Sequence, residues 1–186
     1  TAIESVLEQT FEDFEVVIVD DGSSTPVREE LDENIINNHN VHLHRQSNQG
    51  FAGGTNRAFR ESVGRYVAPI GQDDNWKPEK LERQVEFLRS GYDAVFAKAG
   101  KIDESAEIVG ERGNFPSGDL TMSLFKGCYP CYESVVFDKH LIANDWLVNE
   151  DFIVASDWDL WFRLFPKAEI KYIDDYLLSS RSHENQ

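Results

Sequence analysis

Six consecutive residues, Phe14 to Val19 (FEVVIV), constrain this fold more than any other feature. They form an apolar, β-branched run of strand length, closed at once by the turn formers Asp20-Asp21-Gly22-Ser23-Ser24. Such a run reads as a buried parallel strand, and a parallel partner requires a crossover, usually a helix. The following residues supply one: Val27 to Asn37 is amphipathic, Val41 to Arg45 is a short strand, and Ala52 to Ser62 is a second, small-residue helix. Arg65 to Ile70 gives another strand, Gly71 to Asn75 a loop, and Pro78 opens a helix through PEKLERQVEFLRS. Ala94 to Ala97, Glu133 to Phe137 and Ile170 to Ile173 read as strands and Trp158 to Phe165 as a helix. Ahead of them all, Ala2 to Leu7 has helical spacing, with Thr1 placed to cap it.

This alternation predicts an α/β fold, a doubly wound and mainly parallel sheet with helices on both faces, whose ligands bind beyond the carboxyl ends of the strands. Both acidic pairs, Asp20-Asp21 and Asp73-Asp74, fall at such ends. Residues 99–131 carry Gly, Pro and Ser with little period, as expected of a loop-rich region over a site. At 186 residues, 40% of them hydrophobic, the chain suffices for one core and one domain.

Charge narrows the function. A formal net charge of -16 opposes binding to nucleic acid or to an anionic membrane face, and an anionic ligand would need a local cation. No apolar run approaches the roughly 18 to 20 residues that span a bilayer, and TAIESVLEQT lacks the basic and apolar blocks of a signal peptide. The expectation is a cytoplasmic protein without a transmembrane segment, peripheral at most to the inner face of the membrane. Cys128 and Cys131 form a CxxC, but the histidines at 39, 42, 44, 140 and 183 show no paired ligand spacing near them, so two unpaired thiols are expected.

Two acidic turns meeting across one cleft have a chemical implication. A nucleotide diphosphate is repelled by carboxylates unless a divalent cation lies between, which points to Mg²⁺ or Mn²⁺. That ion would also absorb charge building on a departing diphosphate. Alone, Asp-Asp-Gly-Ser is an ordinary turn.

Four blocks in order change the reading: FEVVIVDDGSS, NQGFAGGTNRAF, RYVAPIGQDDNWKPEKLERQ and ASDWDLWFRL. Together they resemble the family 2 glycosyltransferases of GT-A fold, over nearly the whole chain. The resemblance implies that Asp20 and Asp21 hold the nucleoside, and that Asn48, Gly50 and Asn56 match the family's Asn-x-Gly and later Asn. Gly53 and Gly54 would let backbone approach the ligand or pack the helix closely. GQDDN matches the DxD region, with Gly71 where the first acid is usual. Asp74 is then assigned to the metal and Asp73 to ribose or metal. In ASDWDLWFRL the family's acidic pair becomes Ser156-Asp157, so Asp157 is the base. One carboxylate is enough for an inverting, in-line displacement, in which it takes the acceptor hydroxyl's proton. Asp159 reads as a helix N-terminal acid and Arg163 as its ion-pair partner. SSRSHENQ resembles the family's Arg-x-His, which brings Arg181 or His183 to the diphosphate or metal. Trp158 is the first choice to stack on sugar, ahead of Trp76, Trp161, Tyr129 and Tyr132.

The implied function is transfer of a sugar from a UDP- or dTDP-linked donor to a glycan or lipid-linked saccharide acceptor, in glycan or cell-surface polysaccharide synthesis. Residues 1–98 form the nucleotide-sugar half and 99–186 the acceptor half. Family members normally begin with an apolar strand and a Pro-x-Tyr-Asn-like loop, neither of which is present here. That strand is central, so its absence leaves two rows of unpaired backbone groups unless residues upstream supply it. Gly71, Ser156 and the absent strand keep open a catalytically inactive module on the same fold.

Overall fold

The computed structural model describes residues 1–103, 107–113, 120–127, 130–142, 148–152 and 154–181. Helix α1 (Ala2–Leu7) starts where predicted, the Thr1 hydroxyl accepting from the Glu4 amide at 3.3 Å. Strands β1 (Val16–Asp21) and β2 (Val41–Gln46) pair in parallel, forming a two-stranded sheet. Between them the expected single helix is two short ones, α2 (Val27–Glu30) and α3 (Glu33–Ile36). The break has a local cause. Leu31 and Asp32 are extended, and the Asp32 carboxylate accepts from the Asn34 amide at 2.8 Å, capping a new helix rather than continuing the old one.

Helix α4 (Gly50–Glu61) leads to β3 (Tyr66–Val67), β4 (Asp74–Trp76), α5 (Lys80–Arg89), β5 (Ala94–Ile102) and β6 (Ile108–Arg112). Then come α6 (Leu120–Phe125), a 3₁₀ turn at Tyr132–Ser134, β7 (Val136–Asp138), α7 (Ser156–Leu164) and β8 (Ile170–Arg181). The second sheet has the order β3-β7-β5-β8-β4, with β6 on β5. Among the described residues the two long pairings, β1 with β2 and β5 with β8, are parallel, and the short pairings that border them are antiparallel. Two readings are corrected here. The loop expected at residues 71–75 ends in strand β4, because Asp74 to Trp76 pair with Ser180 to Leu178; and the loop-rich stretch contains the β5–β6 hairpin and α6.

Strand alternation puts helices on both faces. On β5, Phe96 packs with Phe59, Leu160, Trp161 and Phe165 from the α4 and α7 side, while Val95 and Ala97 pack with Val6, Leu81 and Leu88 from the α1 and α5 side. Full burial of a side chain of this size contributes about 1.5–3 kcal/mol each. Ties between α1 and the β4–α5 segment are polar: Gln9 donates to Lys77 O (2.8 Å) and accepts from Leu81 N (2.9 Å).

Where the resemblance places a further central strand, the two sheets are separated by an apolar groove of about 600 Å³. Val16 and Val17 of β1 line one wall and Tyr66 and Val67 of β3 the other, with Phe59 and Leu81 between them from the helices.

Candidate active site

The carboxyl end of β1 turns sharply at Gly22, whose φ is +81° and whose missing side chain admits the Asn48 amide: a Cβ there would lie 2.7 Å from Asn48 N. The turn holds Asp20 inward. Its carboxylate accepts from Ser23 N (2.9 Å), Val27 N (3.1 Å) and Arg45 (2.6 Å). These bonds, led by that from Ser23, lower its pKa to about 2. Asp21 accepts from Gln46 (2.7 Å) and Gln49 N (2.9 Å) and lies beside Gly54 of α4. Asn48 accepts from Gly50 N at 3.1 Å, and Gly50 itself takes a φ of +74° at the start of α4.

Asn56 is 2% exposed and fully engaged. Its amide nitrogen donates to Val148 O (2.8 Å) and Glu150 (2.7 Å), and its oxygen accepts from Val148 N (2.9 Å). The side chain assigned to the nucleotide pocket thus pins residues 148–150 to α4.

A second network assembles around Asp74. This side chain is buried; Oδ2 accepts from Gly71 N (2.9 Å) and Oδ1 from Arg112 of β6 (2.9 Å). Gly71 is what permits this fold-back, since a Cβ there would meet Asp74 Oδ2 at 2.8 Å. Arg112 also reaches Glu133, in the 3₁₀ turn before β7, at 3.2 Å, so one guanidinium bridges two carboxylates. Burial and the neighbouring Glu133 push the Asp74 pKa up, against the pull of Arg112 and the Gly71 amide. Asp73, next in line, is partly exposed.

Asp157 lies in the first turn of α7, just after Ala155, which adopts a left-handed φ of 58°. Its carboxylate is bonded by the Trp158 and Asp157 amides at the helix start. Burial nevertheless dominates and raises its pKa, with Glu133 adding to the effect and Arg112 opposing it. A partly buried carboxylate with raised pKa, near other acids, is the environment of a general base.

Asp74, Glu133, Arg112 and Asp157 are therefore close enough for their charges to act on one another, whereas Asp20 and Asp21 belong to the network at β1 and α4. Trp76 and Trp161 are core residues, 4% and 1% exposed, and Tyr132 packs between Phe51 and Trp161. Trp158 stacks on Phe162 at 5.9 Å. Arg163 pairs with Asp159 at 2.9 Å as expected. Cys131 is buried as a free thiol 3.2 Å from Glu133, and burial raises its pKa. His183, Cys128 and Tyr129 lie outside the described residues, as does the Arg181 side chain.

Sequence reasoning missed Arg112 and Glu133. Each is a single charged residue in a stretch without period, and only the β5–β6 hairpin and the 3₁₀ turn deliver them to Asp74.

A divalent cation fits this donor set in kind: Asp73, Asp74 and Glu133 offer hard oxygen ligands, and a cationic guanidinium already lies between two of them. Among the described residues no three His, Cys, Asp or Glu side chains are grouped to hold a metal. Nor is any described helix long and apolar enough to cross a membrane.

Comparison with known proteins accords with this geometry. An uncharacterized glycosyltransferase of Nostoc sp. is 42% identical over 171 residues, covering 86% of this chain and 51% of that protein. Chondroitin synthase of Escherichia coli is 27% identical over 177 residues, covering 92% of this chain and 25% of the synthase. The crystal structure of S. aureus TarS 1-349 in complex with UDP-GlcNAc shares the fold, with a TM-score of 0.81 at 20% identity, over 100% of this chain and 55% of that one. This chain thus spans only part of each relative, and about a third of a 28% identical Rickettsia felis glycosyltransferase. The family profile of glycosyl transferase family 2 matches residues 1–129, and the chain belongs to that family.

Proposed function

We propose that this chain is the catalytic domain of an inverting glycosyltransferase that moves a sugar from a nucleotide-diphosphate donor to an acceptor hydroxyl in glycan or polysaccharide synthesis. The observation that carries the reading is the placement of Asp157: a buried carboxylate of raised pKa at the start of α7, in the same charge cluster as Asp74. Such a group takes the acceptor proton as the hydroxyl attacks, and a single base suits inversion. The α7 amides orient it, and the surrounding core residues exclude water on its inner side.

The family relationship and the UDP-GlcNAc held by TarS support a nucleotide-sugar donor, with UDP the first choice. Asp73 and Asp74 would hold Mg²⁺ or Mn²⁺, which when bound neutralises the departing diphosphate. Asp21 and the Asn48–Gly50 turn border the nucleoside side. Residues 99–186 would carry the acceptor side.

Melting the protein with UDP, dTDP, GDP or ADP, with and without Mn²⁺, tests the reading. The expected result is that one diphosphate raises the Tm and that Mn²⁺ enlarges the effect; a ligand at 100 times its Kd contributes about 2.7 kcal/mol. Indifference to all four nucleotides in the presence of Mn²⁺ would reject it.

A further inference from the structure

Arg112 is the side chain whose position the proposed reaction does not explain. It contributes the cation that bridges Asp74 and Glu133, although it comes from β6, a strand paired only with β5 among the described residues. Its two partners are held firmly. Asp74 is 2% exposed and fixed by the Gly71 amide, and Glu133 lies in a 3₁₀ turn and accepts from Cys131. Arg112 itself is about one-third exposed, on a strand whose Ile108 and Val109 face outward, 45% and 64% exposed. Carboxylates fixed in the interior and a cation on an edge strand make the cation the exchangeable member.

A second observation concerns the same place. Lys80 Nζ is fully buried with no hydrogen-bond partner, and its charge is felt by Asp74. The site thus carries a spare buried donor in addition to the bridging guanidinium, so Asp74 has a cationic neighbour when Arg112 leaves. No three-ligand metal group is preformed among the described residues, as expected where a guanidinium occupies the carboxylates.

We propose that Arg112 is the resident counter-cation of this site, and that a divalent metal binds by displacing its guanidinium from Asp74. The inference rests on the metal-dependent reading above. Arg112 assembles the acidic cluster without metal, keeps two buried carboxylates from repelling each other, and sets how tightly the metal binds by competing with it. Removing it should tighten metal binding while loosening the metal-free fold, a combination that a merely structural arginine does not produce.

The test is Mn²⁺ binding to the nucleotide-free protein, read from the EPR signal of free Mn²⁺, for the wild type, Arg112→Gln, Arg112→Lys and Asp74→Asn. The expected result is a Kd at least roughly tenfold lower in Arg112→Gln, the scale of one charge-assisted hydrogen bond. Arg112→Lys should fall between, since one ammonium does not span both carboxylates in a fork, and Asp74→Asn should lose binding. Melting curves give a second readout: Arg112→Gln should lose Tm without metal and regain more than the wild type when Mn²⁺ is added. Unchanged or weaker binding in Arg112→Gln, with the wild type binding Mn²⁺ normally, overturns the competition and leaves the proposed reaction standing. Absence of Mn²⁺ binding in both proteins, with UDP present as well, overturns the competition together with the metal dependence.

Discussion

Replacing Lys80 by methionine should make the protein more stable. The Lys80 ammonium is fully buried, without a hydrogen-bond partner, 4.1 Å above the Trp76 ring. Burial lowers its pKa from 10.5 to about 7. At about 1.4 kcal/mol per pH unit, that gap corresponds to roughly 5 kcal/mol disfavouring the charged form. The sign follows from proton counting. Between pH 7 and 10.5 the unfolded chain keeps the proton and the folded chain gives it up, so stability rises with pH across this window; below pH 7 both states are protonated and the penalty is constant. Methionine keeps the stem against Trp76 and removes the charge. Urea unfolding should show Lys80→Met to be about 2–4 kcal/mol more stable than wild type at pH 6, part of the electrostatic gain being offset by the lost attraction to Asp74. The advantage should shrink by about 1.4 kcal/mol per unit as the pH rises from 7 to 9. A variant less stable than wild type at pH 6, or a difference that does not change between pH 7 and 9, would refute the reasoning.

Asn56→Ala removes three hydrogen bonds to residues 148–150 and leaves the Val148 amide and carbonyl unpaired; urea unfolding should show a loss of about 2–4 kcal/mol. Asp20, with its pKa lowered to about 2, contributes stability above pH 4 that is lost as the pH falls from 4 to 2, so Asp20→Asn should flatten the acid limb of a circular-dichroism titration. Asp157→Asn should cut kcat by about 10²- to 10⁴-fold and leave donor binding nearly unchanged, as steady-state kinetics and nucleotide titration would show. A large loss of donor affinity in that variant would count against its role as base.

The helices and buried strands were legible because burial imposes a period: Val95, Phe96 and Ala97 alternate between two cores, and the apolar run at Phe14 to Val19 locates β1 within two residues. Strand β4 was not legible. Asp74-Asn75-Trp76 has the composition of a loop and becomes a strand only because β8, about a hundred residues later in the chain, pairs with it. Nor did composition reveal that Asp32 would divide a helix. Within the site, Asp74 and Asp157 were recognisable from the blocks around them, whereas Arg112 and Glu133 depend on a hairpin and a 3₁₀ turn meeting in space. Asn56 shows a limit of reading by block: the residue stands where the resemblance puts it, yet its amide is spent on holding the chain of residues 148–150 in place.

The groove between β1 and β3 bears on how this chain behaves in a tube. Strand edges beside exposed apolar walls attract other extended chain, and here they face inward across a slot that a second molecule reaches only by close approach. A formal charge of -16 opposes that approach at low ionic strength, over distances that salt shortens from about 30 Å at 0.01 M to about 3 Å at 1 M. Colloidal stability should therefore be greatest in dilute buffer, and light scattering should rise as salt is added.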